Sequence, residues 1–250
     1  MPMSSLVLRD DKDACATLTL NRPDSLNALS TALFEELDAH IDDIAAQSAS
    51  IGCVVIRGAG RSFCAGADLK DISSGTGKVI GPYFKAKCIE KLSQLPQPVI
   101  AQVHGHCFTG GVELVLGCDL VVATESARFA DTHAKWGMVG AWGITQRLPR
   151  KIGLARAKEM MFTAQHFSAK QAQEMGLVNR VVPDERLQAE VDALVKAILA
   201  NSWHSNFGNK KLLRETASLS LEAGLAYELY NHPGRAPDFK ERVGGFGKKQ

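Results

Sequence analysis

The stretch PQPVIAQVHGHCFTGGVELVLGCDLVVATESARF, from Pro96 to Phe129, decides the fold. VIAQVHG (Val99 to Gly105) and DLVVATE (Asp119 to Glu125) are short apolar runs of the length and composition of buried strands. Between them GGVELVLG reads as a short helix entered through the glycine pair Gly110-Gly111. A strand, a turn, a helix and a second strand in so little chain predict an α/β layered fold with parallel pairing.

The pattern extends upstream. CATLTL (Cys15 to Leu20) is β-prone and closes on the turn NRPD. Ser30 is a candidate N-cap, and Leu33, Leu37, Ile41 and Ile44 recur at helical spacing behind it, with Glu35, Glu36, Asp38, Asp42 and Asp43 on other faces. CVVIRG then predicts a buried strand and GAGRSFCAGADL a glycine-rich loop. Downstream of about Ile152 the β signal fades, and GLARAKEMMF, SAKQAQEMG, DERLQAEVDALVKAILA and NKKLLRETASLSLEAGLAYELY predict helices. NSWHSNFGN, at Asn201 to Asn209, comes nearest to a linker. No internal repeat or low-complexity segment is visible.

Composition narrows the function classes. The chain has 250 residues and a formal net charge of +2, with acidic and basic residues interspersed, so neither a nucleic-acid surface nor an acidic tail is indicated. Six scattered cysteines without a CxxC pair suggest free thiols in a reducing, cytoplasmic setting. No apolar run approaches the roughly 20 residues that a spanning helix requires, so no membrane partner is expected.

Two glycine-rich turns, SFCAGADL and HGHCFTGGVELVLGCDL, each follow an apolar strand. Such turns free backbone N–H groups, and an oxyanion would suit the start of the helix at Gly110. Locally, each is also an ordinary strand-to-helix connection, and neither decides anything alone. Other signals fail. SSGTGKV around Lys78 has Ile72 where a phosphate loop needs its first glycine and Val79 where it needs Ser or Thr, so it reads as a plain loop. His104 and His106 lack companion ligands, which favours turn packing over metal binding. There is no G-x-S-x-G elbow. Cys64 and Cys107 have no evident activating partner and read as small packing residues.

Taken together, FCAGADL, then PQPVIAQVHGHCFTGGVELVLGCDLVVATESARF, GMVGAWGITQRLPRKIG and SAKQAQEMGLVNRVV, in that order, resemble the crotonase family, the enoyl-CoA hydratase/isomerase group. NRPDSLNAL and DFKERVGGF extend the resemblance over nearly the whole chain. It implies a spiral of ββα turns over residues 1–195. Residues 196–250 would form a helical region that closes the site and builds trimers, or hexamers as pairs of trimers.

The resemblance also implies an acyl-CoA thioester substrate and no metal or separate cofactor, CoA being part of the substrate. It puts the oxyanion hole on the backbone N–H groups of Ala67 and Gly110 and the first catalytic glutamate at Glu113. Glu113 interrupts an apolar segment, where a carboxyl group should have a raised pKa; otherwise it is an exposed helix charge. The family's second glutamate falls on His133, which is either a proton donor or acceptor oriented by Asp131, the mark of a different reaction, or a packing residue in an altered site. Gly140-Ala141 stands where the family has Pro-Gly, and Trp142 is expected to narrow the acyl pocket. Ser25, Leu26, Ala65 and Asp68 are expected to line the CoA, with Arg22 and Lys210 or Lys211 near phosphates; these basic residues are equally solvated surface charges. Hydration of a 2-enoyl-CoA leads, with isomerisation and non-catalytic acyl-CoA binding as alternatives.

Overall fold

The structure is a computed structural model describing residues 5–74 and 83–246. In chain order the elements are β1 (Val7–Lys12), β2 (Cys15–Leu20), α1 (Thr31–Ala46), β3 (Cys53–Gly58), α2 (Leu69–Ser74), α3 (Phe84–Gln94), β4 (Val99–Val103), β5 (His106–Phe108) and α4 (Gly110–Val115). Then come β6 (Leu120–Thr124), β7 (Arg128–Ala130), α5 (Ile144–Ile152), α6 (Leu154–Thr163), β8 (Phe167–Ser168), α7 (Ala169–Glu174), β9 (Arg180–Val182), α8 (Leu187–Ala200), α9 (Trp203–Thr216), α10 (Leu221–Asn231) and α11 (Phe239–Gly244). Lys78 and Val79 lie outside the described residues.

The strands form a six-stranded sheet, ordered β1-β2-β3-β4-β6-β9, and a three-stranded sheet, β5-β7-β8. All pairs of the large sheet are parallel except β1 with β2. The chain advances in a spiral: β4 leads to β5 and α4, and β6 leads to β7 and α5. β3 makes the equivalent step through a single residue, Cys64, which bridges to Cys107 of β5. Parallel strands must be joined by crossovers, and the helices supply them.

Inward-facing residues of the sheet, among them Leu18, Ile56, Ala101, Val121 and Ala123, merge with Leu33, Phe34, Leu37, Ile41 and Ile44 of α1 into the main core. Ser30 caps that helix through Oγ, which accepts from the Leu33 N–H at 3.2 Å. The opposite sheet face carries Cys15, Cys53, Val55, Ile100 and Val122, covered by Leu187 and Val191 of α8. A second core layer is thereby built on the outer face.

The region after Ile152 also contains β8 and β9, which the fading β signal did not foretell; both are short and borrow their pairing from β7 and β6. The expected linker is helical. Ser202 caps α9, and Trp203 packs where a Cβ on Gly52 would lie 2.4 Å from its ring, so the segment is fixed by burial and not by its polar composition. The boundary expected at 195/196 falls inside α8.

Candidate active site

Backbone pairing positions the first loop. The Leu29 N–H donates to Gly66 O at 2.8 Å, and the Asp68 N–H to Leu29 O at 3.2 Å. This parallel bridge consumes the groups on either side of Ala67 and turns the Ala67 N–H to the other edge. The loop is joined to the second loop by Cys64 N–H to His106 O (2.8 Å) and Phe108 N–H to Cys64 O (3.0 Å). Gly66 adopts φ +109°, and a Cβ there would meet Phe108 O at 3.1 Å.

The second loop turns at Thr109, a non-glycine residue at φ 52°, ψ −109°. Such a conformation costs about 1–3 kcal/mol and persists only where its surroundings enforce it. Here the Thr109 N–H donates to Ala130 O at 2.7 Å, and its hydroxyl lies 2.6 Å from that of Thr132. The turn delivers Gly110 as the first residue of α4, where an N–H has no intrahelical acceptor. A Cβ on Gly110 would fall 3.2 Å from Ala67 N, so the two loops converge on one point. Among the described residues neither the Ala67 nor the Gly110 N–H has a hydrogen-bond acceptor.

Beside them is a line of three ionisable groups. Glu113, only 1 % exposed, sits on α4 and accepts through Oε1 from the N–H groups of Trp142 (2.8 Å) and Ile144 (3.4 Å). Its other oxygen, Oε2, lies 3.8 Å from His133 Nε2. The His133 ring turns Nδ1 to Asp131 Oδ1 at 2.5 Å, and the same oxygen accepts the His133 backbone N–H at 3.1 Å. Burial raises the Glu113 pKa, and the nearby His133 charge and the two backbone donors only partly oppose that. For His133, burial alone would lower the pKa; the hydrogen bond and charge of Asp131, with the charge of Glu113, outweigh it and raise the net value. With Asp131 taking the Nδ1 proton, Nε2 is the nitrogen left to face Glu113.

Trp142 ties the walls together. Its ring meets Phe34 edge-to-face at 5.1 Å, Lys85 Nζ sits 5.6 Å from the ring centre, and a Cβ on Gly110 would come within 2.6 Å of its Cζ3. The ring therefore borders the loop junction while the backbone N–H of the same residue holds Glu113. Gly140 accounts for the missing Pro-Gly turn. A Cβ there would be 2.2 Å from Ile144 Cγ2 and 3.1 Å from His133 Cε1, so the imidazole occupies the space that a larger residue at 140 would need.

A cleft of about 270 Å³ adjoins the two loops, lined by Ala65, Ala67, Thr109, Thr132, Lys135 and Met138 among others; Gly110, Glu113, His133 and Trp142 lie behind this lining and do not form its wall. Leu26 abuts it: the Ala65 N–H donates to Leu26 O at 2.9 Å, and Leu26 and Asn27 are both left-handed. Ser25 ends the short turn before them, its N–H donating to Arg22 O at 3.0 Å. Arg22 pairs with Asp68 at 2.8 Å, so these two expected ligand contacts engage each other. The sequence reading missed His166, which reaches the cleft wall with its ring tilted by 39° against Phe108 at 4.6 Å. Its only sequence signal is a histidine just ahead of the two-residue strand β8. His104 and His106 serve the turns, His104 bonding Gly60 O and His106 stacking on Phe108.

The structure does not bring Lys210 and Lys211 to this cleft within one chain. Lys210 donates to Asp119 Oδ2 (2.6 Å) and Gln97 O (2.8 Å), and Asp119 also accepts from Val99 N–H. Those groups stand at the N-terminal ends of β4 and β6, about 15 Å along the strands from the loops that carry Ala67 and Gly110. Lys211 borders a separate groove with Gln94, Pro96 and Pro233. No helix among the described residues is long and apolar enough to cross a membrane.

Known proteins share this arrangement of sheets and loops. Residues 10–249 match the family model described as enoyl-CoA hydratase/isomerase. The chain is 33% identical to the short-chain-enoyl-CoA hydratase of Clostridium acetobutylicum, covering 91% of this chain and 88% of that protein. It is 32% identical to the mitochondrial enoyl-CoA hydratase of Pongo abelii, covering 97% and 84%. The crystal structure of enoyl-CoA hydratase from Bacillus anthracis superimposes with a TM-score of 0.91 at 34% identity, covering 98% of this chain and 97% of that one. With the match spanning spiral, loops and C-terminal helices alike, the chain belongs to the enoyl-CoA hydratase/isomerase family.

Proposed function

We propose that this protein hydrates 2-enoyl-CoA thioesters. The observation carrying this reading is the placement of Glu113 and His133 at 3.8 Å from each other, beside two backbone N–H groups without an acceptor among the described residues. A water seated between the carboxylate and the imidazole gives its proton to Glu113 as its oxygen attacks the β-carbon. The electron pair of the double bond moves to the thioester carbonyl, whose oxygen becomes an enolate oxyanion. The Ala67 and Gly110 N–H groups point at that charge, each worth about 3 kcal/mol in such a setting. His133, whose protonated form Asp131 favours, supplies the proton to the α-carbon. A relay across the gap from Glu113 to His133 then restores both groups. Every step uses the chain's own groups, so no cofactor beyond the substrate's CoA enters the reaction.

Ala65 in the cleft wall, with its N–H bonded to Leu26 O, supports a path for the CoA moiety past Ser25, Leu26 and Ala65, and the Trp142 ring beside Gly110 supports a limit on the acyl end. The exposed leucines 221, 225 and 229 of α10 support assembly into trimers or pairs of trimers through the C-terminal helices. Six free thiols support a reducing compartment such as the cytoplasm. Purified protein mixed with a short 2-enoyl-CoA should discharge the conjugated enoyl absorbance; turnover only of a 3-enoyl-CoA would instead identify an isomerase, and binding without turnover a non-catalytic protein.

A further inference from the structure

Cys15 and Cys53 open β2 and β3 and stand directly opposite one another in parallel register. Both side chains point to the outer face of the sheet, under α8. Neighbouring strands run about 4.8 Å apart, within the span of Cα separations that a disulfide bridges. Cys15 also forms part of the wall of a cavity of about 670 Å³ between the β1–β2 hairpin and α8, whose other lining groups include Lys12, Thr17, Arg57 and Gln102. Cys53 lies fully buried behind it. A small solute entering the cavity therefore meets one sulfur while the second waits beneath.

We infer that Cys15 and Cys53 form a reversible, peroxide-responsive disulfide, with Cys15 the sulfur that is attacked first and Cys53 the one that resolves it. Cys15 sulfur takes the terminal oxygen of a hydroperoxide, giving a sulfenic acid and releasing an alcohol, or water from hydrogen peroxide. The Cys53 thiol then attacks that sulfur, the S–S bond forms, and the hydroxyl leaves as water. Two thiols are oxidised and one peroxide bond is reduced. The Cys53 thiol itself donates to Val54 O at 3.9 Å, and the interaction between the two neighbouring thiols lowers the pKa of Cys15 and raises that of Cys53, the division of labour this order requires. Side chains that stand parallel on adjacent strands close a strained bridge, which makes it easily reduced again. Cys64 and Cys107 form the other cross-strand cysteine pair, but both are fully buried and neither lines this cavity.

The test is peptide mapping of the folded, full-length protein after graded hydrogen peroxide, with free thiols blocked before digestion. The result expected is a Cys15–Cys53 linked peptide, a fall from six reactive thiols to four on denaturation, and full reversal by dithiothreitol. Cys53→Ser should stop at a Cys15 sulfenic acid that a 1,3-diketone traps, and Cys15→Ser should form no link. A protein that keeps its circular dichroism yet yields no Cys15–Cys53 peptide, links Cys64 to Cys107 instead, or still loses two thiols as Cys15→Ser overturns the inference. Enoyl-CoA turnover is a separate readout: these residues lie at the strand ends away from Ala67, so the outcome here and that of the hydration assay are independent.

Discussion

His133 Nε2 stands 3.8 Å from Glu113 Oε2, and Asp131 holds the far side of the same imidazole at 2.5 Å. This ordering of carboxylate, imidazole and carboxylate turns His133 Nδ1 to Asp131 and leaves Nε2 as the nitrogen presented toward Glu113. A glutamate at position 133 could not be oriented in this way, because a carboxylate offers Asp131 no N–H.

The pH dependence follows from the directions of the shifts. On the proposed mechanism, activity should rise as Glu113 loses its proton and fall as His133 loses its own. Asp131 is a principal reason that the His133 pKa is raised. Asp131→Asn removes its charge, so the alkaline limb of the kcat profile should move to lower pH while the acid limb, set by Glu113, moves little. An alkaline limb that stays in place would show that His133 does not supply the proton.

Replacing His133 by glutamate tests the same grouping in reverse. The variant crowds three carboxyl groups into a buried space and leaves Asp131 Oδ1 without its ring donor. Hydration should slow by about 100-fold, and adding Asp131→Asn should recover part of the loss. Faster turnover in the single variant would mean that the native histidine is a compromised acid.

Gly110→Ala places a methyl group 2.6 Å from Trp142 Cζ3 and 3.2 Å from Ala67 N. The expected loss in kcat is about 10²- to 10³-fold, the scale of one missing oxyanion donor. Trp142→Ala in the same chain should restore stability, read by denaturant unfolding, without restoring turnover. Recovery of both would mean that the ring clash, and not the obstructed amides, caused the loss.

Gly140→Ala should destabilise the fold by about 1–3 kcal/mol through contact with Ile144 Cγ2 at 2.2 Å. The penalty should shrink in an Ile144→Ala background, since neighbouring substitutions are not additive. Equal penalties in both backgrounds would point to backbone strain instead.

Much of the fold is legible in local pattern. Leu33, Leu37, Ile41 and Ile44 announce α1 by their spacing, and the apolar runs of β3, β4 and β6 announce buried parallel strands. β1 escapes because VLRDDK is an edge strand with charged positions, and β5, β7, β8 and β9 are two or three residues long, paired only because the spiral presents a partner. At the site, Ala67, Gly110, Glu113 and His133 are readable from motif order. The engagement of Lys210 by Asp119 and the fit of Gly140 against His133 are not, because each joins residues through the finished fold and leaves no local trace.

The most direct measurement follows the conjugated absorbance of a short 2-enoyl-CoA with native protein and Glu113→Gln side by side. Glu113→Gln keeps the size of the side chain and, through its amide oxygen, can still accept from Trp142, but it cannot take the water proton. Native protein should discharge the absorbance, and the variant should bind the thioester with little change in affinity while kcat falls about 10²- to 10⁴-fold. Undiminished hydration by Glu113→Gln, or none by the native protein at any pH where it is folded, would contradict the account.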